Sequence, residues 1–297
     1  MTMKKWLHDN TNVLNGKTVA VSGATGGIGN ALCRHLAALG ARLILLDRNT
    51  EKSLSLITQL RAEYPDLQAE HIRLDLTDIP SVDAAARELE IRAVDVLILN
   101  AGAYHIPRYT CASGYNNVFQ INFVSPYYLA RRLLPTLRER GGRVVAVGSI
   151  AHTYSKTDPT DVDFSTHRAS SKVYGNAKRY LMFSLYGLCD QGGVAVAHPG
   201  ITFTNITAHY PKLIFALIKH PMKVLFMSNK RAALSILGGV FEDCRENEWI
   251  GPRIFNVWGL PKKSRLHTVD AAEAAHIRAV ADDVYVKMNT ILNTADA

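Results

Sequence analysis

The chain has 297 residues, 47% of them apolar and 20% charged, with a formal net charge of +8. These proportions exclude a disordered or fibrous chain and describe an ordinary globule long enough to bury a full core. The basic residues are scattered, without a zinc-finger or basic-helix pattern, so the charge gives no ground for a nucleic-acid partner. The four cysteines, Cys33, Cys111, Cys189 and Cys244, have no CxxC spacing. They read as free thiols in a reducing compartment, with no metal site. The N-terminal stretch is polar and lacks the apolar core of a signal peptide. No apolar run approaches the ~20 residues that cross a bilayer. A cytoplasmic location is therefore expected, and membrane association is not.

In chain order, short apolar runs alternate with helical patterns. Thr18 to Val21 reads as a strand that ends in a glycine-rich turn, Ser22-Gly23-Ala24-Thr25-Gly26-Gly27-Ile28-Gly29. A helix is expected over Ile28 to Leu39, stopped by Gly40. Arg42 to Leu46 is a second strand, ending in Asp47, and Glu51 to Glu63 a helix. Glu70 to Leu74 is a third strand before Asp75-Leu76, and Ser81 to Leu89 a helix. Asp95 to Leu99 is a fourth strand, ending in Asn100-Ala101-Gly102. A long helix follows over Gly114 to Arg138, then a fifth strand, Arg143 to Val147, leading into Ser149. A helix over Ala169 to Asp190 precedes a sixth strand, Val194 to Ala197, and then His198-Pro199-Gly200. A last strand is expected at Arg253 to Val257, and an amphipathic helix from Thr268 to Leu292. Strands apolar on both faces, alternating with helices, imply a parallel sheet covered on both sides.

Three patterns carry chemistry. The glycine turn joins a strand to a helix N-terminus, where free N–H groups and the helix dipole favour a pyrophosphate. Its spacing reads two ways, as Gly23, Gly27 and Gly29 or as Gly23, Gly26 and Gly29. Asp47 follows 18 residues after Gly29. A carboxylate there accepts hydrogen bonds from a ribose 2′-OH and repels a 2′-phosphate, which favours NAD. The adjacent Arg48 can hold a 2′-phosphate and keeps NADP open. The third pattern is Tyr174 with Lys178, one helical turn apart and able to face one site. A phenol is a poor base at neutral pH, and a nearby ammonium lowers its pKa. With a serine hydroxyl alongside, such a tyrosine exchanges a proton with an alcohol or carbonyl while hydride moves to or from a nicotinamide.

With these motifs together, the sequence resembles the short-chain dehydrogenase/reductase family from about Lys17 to Thr204. The resemblance implies a Rossmann-like, doubly wound α/β fold in one domain, with helices on both faces of the sheet. It implies that Ser149, Tyr174 and Lys178 form the catalytic triad, and that Asn122 completes a tetrad by holding a proton-relaying water. It places Gly23, Thr25, Gly27, Ile28, Gly29, Asp47, Arg48, Asp75, Leu76, Asn100, Ala101, Gly102, Tyr174, Lys178, Pro199, Gly200 and Thr204 around the cofactor. Asp75 would contact adenine and Thr204 the nicotinamide carboxamide. His198 reads as a buried histidine rather than a catalyst. The family habit of pairing through long helices implies a homodimer or homotetramer.

Ser149 and Tyr174 lie 25 residues apart, as in retinol-dehydrogenase-like members. The polar stretch His152 to Arg168 is expected as an insertion near the pocket mouth. Nucleotide-sugar epimerases and dehydratases of the extended type share this separation and the second glycine spacing. Against them stand Asn100-Ala101-Gly102, Asn122 and the Pro199-Gly200 run. A dinucleotide sensor without chemistry would not need all three triad residues. Three parts are expected: a cofactor-binding and catalytic core at about 17–204, a lid at 205–230, and a C-terminal helix and tail at 265–297. The lid's apolar residues, Phe203, Leu213, Ile214, Phe215, Leu217, Ile218, Phe226 and Met227, point to a lipophilic or bulky substrate.

Overall fold

The computed structural model describes residues 2–202, 227–266 and 269–295. Eight strands form one sheet in the order β3-β2-β1-β4-β5-β6-β7-β8. They are β1 (Thr18–Ser22), β2 (Arg42–Asp47), β3 (Ala69–Arg73), β4 (Val96–Leu99), β5 (Arg143–Val147), β6 (Val194–Ala197), β7 (Glu248–Ile254) and β8 (Trp258–Arg265). All neighbours pair in parallel except β7 with β8. Val19, Ala20 and Val21 of β1, like Leu43, Ile44 and Leu45 of β2, are fully buried. Apolar residues on both strand faces are what a doubly covered sheet requires.

The helices are α1 (Met3–Asn10), α2 (Gly27–Ala38), α3 (Thr50–Glu63), α4 (Ile79–Ile91), α5 (Asn117–Phe119), α6 (Ser125–Glu139), α7 (Ser170–Tyr186), α8 (Asn229–Phe241) and α9 (Ala271–Ala295). A π-helical turn, Gln120–Val124, joins α5 to α6. One core gathers residues of α4, α6, α7 and α9 against one sheet face. A second gathers α1, α2, α3 and α8 against the other. Helix α9 buries Ile277, Ala281, Val284, Met288 and Leu292, a helical stripe. It lies on α6 and α7.

One strand expectation needs correction. The strand expected at Arg253 to Val257 straddles a turn: Phe255 and Asn256 have φ of 49° and 55°, which reverses the chain between β7 and β8. Two central residues at positive φ are the signature of a tight hairpin, and asparagine tolerates that region. The polar N-terminus contains α1, which buries only Trp6. A single anchor gives no periodic signal. The turn and helix ends elsewhere differ from expectation by a few residues, and the helix expected over 114–138 begins at Asn117.

The strand order reverses beside β1, where β2 leads one way and β4 the other. Such a switch point opens a crevice outside the carboxyl ends of the strands, the usual ligand position in open α/β sheets. Every motif named above except those on α7 and on the α5–α6 segment follows the carboxyl end of a strand.

Candidate active site

The glycine turn sits at the end of β1. Gly23 has φ of +66°, and a Cβ there would stand 2.8 Å from Ala101 Cα. At Gly29 a Cβ would collide with the Gly23 carbonyl oxygen. Gly26 is more permissive, because a Cβ there would lie 3.3 Å from the same oxygen. At Gly27 the obstacle is the Asn229 side chain. Gly23 and Gly29 are thus fixed by backbone, and both spacings share them. Gly26 caps α2 without a side-chain bond, and Gly26 and Gly27 are exposed. The first N–H groups of α2 are left for an anion. Ile28 packs below, against the second core.

The turn is tied to its neighbours by polar side chains. Asn100 Nδ2 donates to the Ser22 and Gly23 carbonyls at 2.9 and 3.0 Å. Ala101 N donates to Ser22 Oγ at 3.0 Å. Asp47, only 7% exposed, accepts from Thr25 N at 3.3 Å, Thr25 Oγ1 at 2.9 Å and Ser53 Oγ at 3.1 Å. It therefore braces the glycine turn and the start of α3 as well as facing the crevice. Arg48 is exposed beside it. Asp75 accepts from Thr77 N and Oγ1 at 3.0 and 2.7 Å. The Leu76 carbonyl accepts from Gln120 Nε2 and Ser125 Oγ, fixing the strand end to the π-helical turn.

Ser149 follows β5 and opens a 3-10 helix, Ile150–Thr153, its Oγ accepting from Ala151 N at 3.2 Å. Tyr174 and Lys178 lie on α7, with Gly175 between them. A Cβ on Gly175 would strike the Ala151 carbonyl. A mid-helix glycine costs about 1 kcal/mol against alanine, and here it admits the serine-bearing turn to within contact of the helix. Tyr174 is half-buried, and its ring meets Tyr104 edge-on at 5.3 Å. Burial pushes its hydroxyl up to about 12, against the lowering effect of a hydrogen bond with Ser149. Lys178 is 2% exposed, and Nζ donates to the Val147 carbonyl at 2.9 Å. Burial brings its pKa down to about 8. The sequence reading gave Lys178 the task of lowering the phenol's pKa. In the structure burial shifts the two groups in opposite directions, and Lys178 Nζ stands 5.8 Å from the centre of the Tyr174 ring.

Asn122 lies in the π-helical turn, fully buried. Its Nδ2 donates to the Ala103 and Val118 carbonyls at 2.8 Å each, and Oδ1 accepts from Ala103 N at 3.2 Å. Asn122 Oδ1 and Lys178 Nζ both line the space a Cβ on Gly102 would enter, at 2.8 and 3.5 Å. The structure thus brings Asn122, Lys178 and Gly102 together. Gly200 has φ of +79°, and its Cβ position is closed by Met227 and the Val257 carbonyl. Pro199 is buried beside it. His198 is 2% exposed, stacks on Trp249 at 4.8 Å, and bonds the Asn256 carbonyl through Nε2 at 2.9 Å. Burial takes its pKa down to about 4. Thr204 and all but Met227 of the apolar lid residues lie outside the described residues, as does most of the 205–230 segment.

Several neighbours had no signal in the sequence. Tyr104 meets the Tyr174 ring, and the Asn229 side chain stands against Gly27. Within the stretch 152–168, Asp161 accepts from Ser165, Thr166 and His167. Phe164, 2% exposed, packs on Val118, Val173 and Tyr174.

Residues 17–158 match the family model for short chain dehydrogenase. The chain is 30% identical to mouse (Mus musculus) retinol dehydrogenase 12 over 267 residues, covering 83% of this chain and 84% of that protein. It is 29% identical to mouse retinol dehydrogenase 14 over 270 residues, covering 80% of each. Among solved structures, an uncharacterised protein of Mycobacterium paratuberculosis superposes with a TM-score of 0.73 at 24% identity, over 93% of this chain and 96% of that one. The short-chain dehydrogenase of Sphingobium yanoikuyae, solved with NADPH, superposes with a TM-score of 0.58 at 24% identity, over 75% and 84%. The chain belongs to the short-chain dehydrogenase/reductase family. It is an oxidoreductase of the CH–OH/carbonyl class that uses a nicotinamide dinucleotide. The exposed glycines, the uncapped start of α2 and the open face of Gly102 fit such a group.

Proposed function

We propose that the protein interconverts a lipophilic or bulky alcohol and its carbonyl compound, with Tyr174 as the group that exchanges the proton. The observation that carries this reading is the convergence of Ser149, Tyr174 and Lys178 beside Gly102 and Asn122, at the carboxyl ends of β4 and β5. A bound nicotinamide supplies hydride donation or acceptance at this place. The protein supplies the rest. Tyr174, a phenol protonated at neutral pH and raised further by burial, is suited to give its proton to a carbonyl oxygen as that oxygen gains charge. Ser149 Oγ is the second donor to the same oxygen. Lys178, anchored on the Val147 carbonyl, would offer its ammonium to a bound dinucleotide. Asn122 holds the local backbone, and a water against its Oδ1 is the relay that we assign to it.

NAD is the cofactor that Asp47 favours, because a buried carboxylate beside the ribose disfavours a 2′-phosphate. NADP is the alternative, through Arg48. The substrate class rests on the aromatic approach to Tyr174, on the apolar sequence of the lid, and on relatives named for lipophilic alcohols, retinol and polyprenol. Residues 17–204 would form the cofactor and catalytic core of one domain.

The test is Tyr174→Phe, with dinucleotide binding followed by energy transfer from protein to nicotinamide. Turnover should fall by about 10²–10⁴-fold, with NADH affinity nearly intact. Full activity in this variant would dispose of the mechanism. Tighter NADPH than NADH binding would reverse the cofactor assignment. Binding of both without turnover of any alcohol or carbonyl would favour a sensor.

A further inference from the structure

We propose that Arg179 and Glu273 are positioning residues, through which the C-terminal helix holds the Ser149 turn against Tyr174. The proposal rests on the reading of Ser149 as a hydroxyl that meets the substrate. Arg179 follows Lys178 on α7 but turns the other way, into the protein. Its side chain is 3% exposed and grips Glu273, 9% exposed, with both edges: Nε to Oε1 at 2.7 Å and Nη2 to Oε2 at 2.6 Å. A bidentate guanidinium–carboxylate pair fixes orientation as well as distance. A third donor, Arg179 Nη1, reaches the His152 carbonyl at 2.9 Å.

His152 is the link to the serine. Its backbone N donates to the Ser149 carbonyl at 3.1 Å, and its Nδ1 bonds the same oxygen at 2.6 Å. The ring is 1% exposed and stands edge-on to Trp249 at 5.6 Å. Glu273 holds the far end of the same segment, since Oε1 also accepts from Thr157 N at 2.9 Å and Thr157 Oγ1 at 3.1 Å. The stretch from Ser149 to Thr157 is therefore clamped twice by one buried ion pair, at His152 through Arg179 and at Thr157 through Glu273. Tyr180 OH to His276 Nε2, at 2.9 Å, repeats the α7–α9 link one residue further along α7.

A pair that served only to dock α9 would need neither the bond to His152 nor the two bonds to Thr157. Removing one member of a buried pair leaves the other uncompensated, so the segment it holds should loosen first. The phosphate-facing turn, on the other side of β4, shares no partner with this pair.

The experiment uses the full chain with Glu273→Gln and, separately, Arg179→Lys. The glutamine keeps the size and one acceptor but loses the charge. The lysine keeps the charge, but its one ammonium cannot serve Glu273 and the His152 carbonyl as the planar fork does. In both variants, amide hydrogen exchange over 150–157 should accelerate while exchange over 18–29 stays as in the wild type. NADH or NADPH affinity should stay within about twofold, and kcat should fall on the order of tenfold to a hundredfold, the cost of a misplaced reacting group. Wild-type exchange at 150–157 in both variants would overturn the proposal. So would a loss of kcat no larger than the loss of folded protein. If the wild type turns over no alcohol or carbonyl, the functional reading fails by itself, and the exchange pattern alone decides the clamp.

Discussion

Around β1 and β2 the Asp47 carboxylate is held by sequence neighbours. Asp47 meets Thr25, 22 residues away, and Ser53, six residues away. Around β5 and β6 the partners are distant. Arg179 meets Glu273 across 94 residues, and Trp249, from β7, stacks on His198 of the β6 end. The first region is a strand, turn and helix unit whose requirements are mainly steric, closed from β4 by Asn100 and Ala101. The second is assembled from the insertion, α7, the β7–β8 hairpin and α9. It follows that cofactor binding and catalytic geometry can be damaged separately, and by different kinds of substitution.

The largest effect should come from the distant side. Trp249 is 1% exposed, lies between His198 and His152, and donates Nε1 to Ser264 Oγ at 3.0 Å. Trp249→Ala should cost about 3–5 kcal/mol of stability, the range for buried aromatic deletions. Chemical denaturation with and without NADH checks it. If the loss stays below about 1 kcal/mol, the β7–β8 hairpin is not the support described here. On the local side, Gly29→Ala forces a Cβ into the Gly23 carbonyl. Overpacking of this kind costs up to about 3 kcal/mol, on the order of a hundredfold in dinucleotide affinity. Gly26→Ala, with its 3.3 Å approach, should change affinity far less. Equal losses in the two alanine variants would mean that both glycines face the ligand rather than the turn.

Those two regions were not equally legible in the sequence. The glycine turn, Asp47, Asn100 and the Tyr174–Lys178 pair could be read because each lies at a fixed offset from a strand end or within one helical turn. The parallel, doubly covered sheet follows from the same alternation, while the order of its strands does not. The β7–β8 hairpin was read as a single strand because its turn, Phe255-Asn256, carries no glycine or proline. The roles of Arg179 and Glu273 left no trace, since neither spacing nor composition links residues on two helices. Burial raises the Tyr174 hydroxyl, and burial is a property of packing that the motif does not show.

The pH dependence offers a gentler probe of the distant side. His198 has its pKa taken from 6.5 to about 4 by burial. A depressed histidine is neutral in the folded state, while the unfolded chain takes up a proton below 6.5. Its contribution is complete above pH 6.5 and is lost as pH falls from 6.5 to about 4. The full loss is about 3 kcal/mol. His152, also lowered by burial, acts in the same direction. Urea unfolding at pH 7 and pH 4 should show a smaller drop in His198→Gln than in the wild type. Equal drops would place the acid sensitivity elsewhere.

The smallest effect concerns the cofactor's second phosphate, and it returns to the local side. Arg48 is exposed and beside a carboxylate already engaged by Thr25 and Ser53. If the ribose 2′-OH is read by Asp47, Arg48→Ala removes only a surface charge. NADH affinity should then change by no more than about 0.5 kcal/mol. If Arg48 instead holds a 2′-phosphate, the same change deletes a charge-assisted bond and weakens NADPH by about 1.5–3 kcal/mol. A single pair of titrations on one variant separates the two, because the predicted responses differ in ligand as well as in size. An intact NADH response with a collapsed NADPH response would show that Arg48, not the buried Asp47, governs the choice. The local side would then owe its selectivity to an exposed residue rather than to the carboxylate that braces the turn.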